Sequence, residues 1–193
     1  MLQLGFLKLL SGTELDERRA EYGLIASAAP PYEILETPTM TAQELRALHN
    51  FEKAFDRLYN SGRHKRTLDY LTETAGVPPL ALFRAMGESL ADTPANGLDA
   101  LSERLLAIFS EHSGVERERL LDAMILDRIA TNRNTHLPPF LVRYDRRIAT
   151  DKARHSDKIP RGYASLSDGS LISASYTEKN PVTGEYKLER IQI

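Results

Sequence analysis

No cysteine occurs among the 193 residues. Disulfides, thiolate metal sites and cysteine nucleophiles are therefore excluded, and the composition is compatible with a cytoplasmic location, which is the expectation. No apolar run approaches the length of a membrane span, so no membrane partner is expected. The apolar start of the chain has neither a basic leader nor a small-residue cleavage site, which argues against a signal peptide. Met1 is expected to be a start residue added by cloning. No charge of one sign dominates: the formal net charge is −2, which gives no global attraction to nucleic acid or membrane. Also missing are H-E-x-x-H, G-x-S-x-G and the spacing of a P-loop. What is present is ordinary for a globular chain, 41% hydrophobic and 27% charged, enough for a sizeable core in one domain or one and a small second.

The chain opens on LQLGFLKLL, an apolar run from Leu2 to Leu10 carrying one charge, Lys8. A run apolar on both faces predicts a strand in the middle of a covered, parallel sheet. Ser11-Gly12-Thr13 ends it, and Thr13 with Asp16 starts a short helix in the manner of a capping box. Gly23 suits its end. Ala28-Ala29-Pro30-Pro31 and Thr37-Pro38 then break an extended arm that carries Tyr32 and Glu33.

These residues carry a resemblance. LGFLKLLSGTEL (residues 4–15), EYGL (21–24), PPYEIL (30–35) and LYNSGR (58–63) are similar to the C-terminal region of cobalamin-binding-type radical S-adenosylmethionine (SAM) proteins. In that family the first segment forms a late strand of the radical SAM barrel, and a DUF4080-type domain follows. The resemblance is sharp from Leu2 to Arg66 and general beyond. It implies a parent enzyme with a [4Fe-4S] cluster, SAM and, in this group, cobalamin, acting as an oxidoreductase or methyltransferase. The cluster motif C-x3-C-x2-C and the cobalamin motif D-x-H-x-x-G are both absent here. The expectation is therefore a tail of such an enzyme, with no cofactor of its own.

Downstream the pattern is helical. Thr41-Ala42-Gln43-Glu44 is a capping box opening a helix that Asn60-Ser61-Gly62 ends. Thr67 is expected to cap a second helix, stopping at Gly76. A third starts at Pro78-Pro79, a fourth at Leu98, and a fifth carries Leu120, Leu121, Met124, Ile125 and Ile129. Leu137-Pro138-Pro139-Phe140 is expected to close the helical region. Residues 143–161 hold seven Lys/Arg against three Asp and read as an exposed connector. From Tyr163 the period becomes two, with turn signals at Asp168-Gly169 and Asn180–Gly184, which predicts a three-stranded meander. The fold class is thus α+β, mostly α-helical: an N-terminal βα unit, a five-helix bundle or array, and a C-terminal antiparallel β-meander. The expected division is 1–40 (barrel-edge remnant and arm), 41–142 (helical), 143–162 (basic connector) and 163–193 (meander).

No catalytic dyad or metal ligand set is expected. The histidines at 49, 64, 112, 136 and 155 have no partner at ligand spacing, Glu111 and His112 pointing to different faces of a helix. Candidate cofactor-contacting residues are Lys8, because lysine is seldom buried unpaired, Gly12 and Thr13, whose turn the resemblance places at the barrel edge where SAM and substrate gather, and Tyr32 and Glu33 on the stiff arm. Each has a plainer reading: Lys8 snorkels or finds a carboxylate, Gly12 permits a turn, Thr13 caps, Tyr32 and Glu33 dock on the bundle. The functional expectation is a non-catalytic C-terminal domain that packs on the barrel of its parent chain and shapes its substrate side. An independent module binding RNA or another anionic partner through the connector and meander is the alternative, although nucleic acid is disfavoured because one aromatic and three aspartates dilute the basic stretch. A purely structural interaction domain is the third reading. Self-pairing of the Leu2–Leu10 strand, giving a homodimer, is expected if its barrel neighbours are missing.

Overall fold

The computed structural model describes residues 3–92, 97–133, 137–142 and 161–191. In order, the chain forms α1 (Glu14–Glu17), β1 (Ile25–Ala26), β2 (Ile34–Glu36), α2 (Ala42–Phe55), α3 (Lys65–Asp69), α4 (Pro79–Asp92), α5 (Leu98–Phe109), α6 (Arg117–Thr131), α7 (Pro139–Val142), β3 (Arg161–Ser165), β4 (Leu171–Ser175) and β5 (Lys187–Ile191). The fold is α+β, with two small antiparallel sheets, β1-β2 and the meander β3-β4-β5. The basic connector lies outside the described residues, except that its last two positions, Arg161 and Gly162, open β3.

The five predicted helices are α2 to α6. Thr41 and Glu44 form the capping box: the Thr41 hydroxyl accepts from Glu44 N–H at 3.3 Å, and Glu44 Oε2 accepts from Thr41 N–H at 2.8 Å. Both α2 and α3 end in a π-turn, Asp56–Asn60 and Tyr70–Thr74, a rare widening that is often found at functional sites. Thr67 does not cap α3. The helix starts three residues earlier, with His64 at the cap, and Thr67 is its third residue. Pro139 does not end the helical region but begins α7, which buries Phe140 and Leu141; a proline without an N–H suits a first turn.

The opening run departs from the expectation of a central strand. It is extended and makes one antiparallel bridge, Lys8 with Glu33. Leu9 N–H donates to Tyr32 C=O at 2.7 Å, and Ile34 N–H donates to Leu7 C=O at 2.9 Å. Among the described residues of the run Leu9 alone is buried, while Leu4, Leu7 and Leu10 are exposed. A strand is defined by neighbours as much as by its own residues, and here the arm at 32–34 supplies a neighbour on one edge. Contact with α2 holds the arm down: Phe6 stacks on His49 with centroids 3.6 Å apart, and Ile34 is buried.

One continuous core joins the helices to the meander. Leu58, Leu71, Leu82, Met86, Leu105, Leu120, Ile125 and Ile129 pack in it together with Ala164, Ala174 and Tyr176. Phe83 of α4 meets Phe55 and Phe51 of α2, at centroid distances of 4.8 and 5.8 Å. The closeness of α2 and α4 rests on Gly87. A Cβ there would stand 2.7 Å from the carbonyl carbon and oxygen of Asn50. Alanine inside a helix normally gains about 0.5–1 kcal/mol over glycine, but overpacking costs about 1–3 kcal/mol. Gly87→Ala is therefore expected to lower stability by about 1–2 kcal/mol, read from the urea midpoint with unchanged slope. A raised midpoint would contradict this packing.

Candidate functional site

The Asn60-Ser61-Gly62-Arg63-His64 turn between α2 and α3 separates two clefts. Gly62, at φ +67°, makes the turn. The first cleft, of about 520 Å³, lies between the two π-turns, with Tyr59 and Asn60 on one side and Thr72 and Glu73 on the other, over Leu68 and Phe83. Lys65 and Asp69 also line it. The second, of about 460 Å³, is more polar than the first: Asp56, Arg57, Asn60, Ser61, Arg63 and His64 line it together with Leu98 and Leu101. Asn60 Nδ2 donates to Asp56 Oδ1 at 3.2 Å along this wall.

Beneath the turn is a buried polar network. Asp127 of α6 is 2% exposed. Its Oδ1 accepts from Arg66 N–H at 3.0 Å, and its Oδ2 accepts from Thr67 N–H at 2.9 Å and from the Thr67 hydroxyl at 2.8 Å. Those amides are the second and third of α3, the donors that a helix start leaves unpaired. Asp127 thus caps α3 from another helix. The Arg66 guanidinium lies 3.4 Å from Asp127 and 2.6 Å from Glu185, tying in the loop before β5. Burial pushes Asp127 up to about 6, although its four donors pull the other way. His64 is 1% exposed, and burial, helped by the nearby Arg63 charge, lowers it to about 4, so it is neutral at physiological pH. Arg128 beside it holds Asp99 at 2.9 Å.

Two signals for this network were present in the sequence. Asp127 and Arg128 fall on the apolar stripe of α6, three and four residues after Met124 and seven after Leu120 and Leu121. A charge at such a position is buried and needs partners. His64 had no comparable mark, because its burial depends on α5 and α6.

The candidate residues named from sequence all lie in the N-terminal arm, away from both clefts. Lys8 is exposed and meets Glu33 as its bridge partner. Glu33 lies 3.5 Å from His49 of α2, so its docking partner on the bundle is a histidine. Tyr32 is exposed at φ +59°, just after the cis Pro30-Pro31 bond. Gly12, at φ +78°, makes its turn, and its N–H donates to Asp16 Oδ2 at 3.4 Å. Thr13 caps α1 by accepting from Asp16 N–H at 3.3 Å, while its hydroxyl donates to Leu10 C=O at 2.7 Å. The amides of Gly12 and Thr13 are thus engaged locally. The structure brings Lys8, Tyr32 and Glu33 together and leaves Gly12 and Thr13 at the next turn. Among the described residues no group of three or more His, Asp or Glu is placed to hold a metal ion, and no helix is long and apolar enough to cross a membrane.

No curated protein and no solved structure matches this chain. A family described as "Protein of unknown function (DUF4080)" matches residues 20–181. The match spans β1, β2, α2 to α7 and the β3 and β4 strands of the meander, including the Asn60–His64 turn and Asp127 beneath it; with more than half of the chain covered, this protein belongs to the DUF4080 family.

Proposed function

We propose that this chain is a non-catalytic C-terminal domain that packs on a radical SAM barrel and shapes its substrate side. One observation carries the reading: the N-terminal arm turns large apolar side chains outward. Leu7 and Leu10 are each 55% exposed, Ile25 54% and Leu35 46%. Isolated exposed leucines are ordinary, but several on one short arm mark an interaction surface. The resemblance of residues 4–15, which carry Leu7 and Leu10, to a late strand of a radical SAM barrel points to that barrel as the partner. The chain's own residues do not fit the cofactors of that class. An iron–sulfur cluster is held by cysteine thiolates, and the sequence has none. The cluster, SAM and cobalamin would belong to the barrel, and this domain would contribute shape and closure.

The test starts from the reading frame upstream of Leu2, where a C-x3-C-x2-C motif is expected. The barrel so encoded, produced separately, should bind this chain. The double variant Leu7→Glu/Leu10→Glu should lose binding at least tenfold while its unfolding midpoint stays within about 0.5 kcal/mol of the parent, as for exposed positions generally. A frame without the motif, or equal binding by the variant, would overturn the reading.

A further inference from the structure

Two buried polar atoms near the Asn60–His64 turn have no partner: His64 Nδ1 and Arg128 Nε. Their chemistry is complementary. His64 Nε2 lies 3.3 Å from Ser102 Oγ. The Ser102 hydroxyl donates its hydrogen to Leu98 C=O at 2.9 Å. A hydroxyl has one hydrogen, so toward His64 it accepts, and the ring hydrogen sits on Nε2. Neutral His64 therefore presents a bare lone pair at Nδ1. Arg128 Nε–H is the opposite case, since a guanidinium nitrogen only donates. Its two terminal nitrogens are turned to Asp99, at 2.9 and 3.4 Å.

Both side chains line one narrow cavity with room for about 10 Å³, bounded also by Ser102 of α5, Asp127 of α6 and Leu141 of α7. That is about the smallest space that holds one water. The occupant must donate to one orphan and accept from the other. A metal cation would face the Arg128 guanidinium. An anion would face the His64 lone pair and the carboxylates of Asp99 and Asp127. We propose that this cavity is a binding site for a single water molecule, which donates a hydrogen bond to His64 Nδ1 and accepts one from Arg128 Nε–H. The water joins the wall shared by the two clefts to α6 and holds the imidazole in one orientation. With it in place, both orphaned atoms are satisfied, as buried polar groups generally are.

The experiment is a high-resolution crystal structure of the chain together with nitrogen-15 shifts of the His64 ring and water-to-protein Overhauser effects in solution. One discrete density within hydrogen-bonding distance of both atoms is expected, with His64 as the Nε2–H tautomer and a long-lived water contact at Arg128 Nε–H. An empty cavity, an Nδ1–H tautomer, or a direct bond between His64 Nδ1 and Arg128 Nε would each overturn the proposal. An ion at full occupancy would also do so, because it would show that the site selects charge.

Discussion

Asp127→Ala is expected to destabilise the protein by about 3–5 kcal/mol. The change removes the acceptor for two amides of α3 and for the Thr67 hydroxyl. Each buried donor left unsatisfied costs about 1–3 kcal/mol, with water repairing the more accessible of them. The Arg66 charge is not the main loss, because Glu185 still holds it at 2.6 Å. For a protein of this size the fall in Tm is on the order of 10 °C. Asp127→Asn keeps an acceptor oxygen and should recover part of the loss. Thr67→Val removes only one of the three bonds and should cost about 1 kcal/mol. If Asp127→Ala stays within about 1 kcal/mol of the parent, or Asn is as damaging as Ala, the cap is not what fixes α3.

The second expectation concerns acid. Asp127 is raised from 3.8 to about 6, so between those values the folded chain binds a proton that the unfolded chain has released. Its contribution is present at low pH and is lost as pH rises through about 6. His64 is lowered from 6.5 to about 4, so over that interval the unfolded chain binds the extra proton. Its contribution is complete above 6.5 and is lost as pH falls toward about 4. Each displacement corresponds to about 3 kcal/mol, with opposite slope. The two nearly cancel between about pH 4 and 6, so single variants should unmask them. Relative to the parent, His64→Gln should lose stability as pH rises through this window, and Asp127→Asn should gain it. The neighbouring charges, Arg63, Arg66, Asp99, Arg128 and Glu185, are common to all three proteins and drop out of the difference. Urea unfolding followed by circular dichroism at several pH values gives the curves. A His64→Gln curve running parallel to the parent would mean that His64 titrates as it does in the unfolded chain.

Much of the helical fold was legible because its signals are local. Thr41 and Glu44 are three residues apart, and the stripe of α2 and the turn at Asp168-Gly169 lie within single elements. The opening run was harder for a physical reason. LQLGFLKLL fixes an extended, apolar segment but not its neighbour, and the neighbour decides whether it is a buried strand or a half-covered arm. Likewise Thr67 looked like a cap because its residue type suits one, whereas the carboxylate that caps α3 comes from 60 residues away. The clefts on either side of Asn60–His64 were marked only as a helix end, and nothing nearby in sequence announces that α5 and α6 bury His64.

The Arg66 contacts to Asp127 and Glu185 have a consequence for assembly. They close loops of 61 and 119 residues. Loop-closure entropy grows only with the logarithm of length, so the longer closure is disfavoured by merely about 0.6 kcal/mol. Chain length therefore does little to order the two events. Desolvation separates them instead, since Asp127 is 4% exposed at its side chain and Glu185 13%. The start of α3 is thus tied to a helix remote in sequence. Its first turn is expected to open when α6 departs, and exchange of the Arg66 and Thr67 amides with solvent would clock that departure.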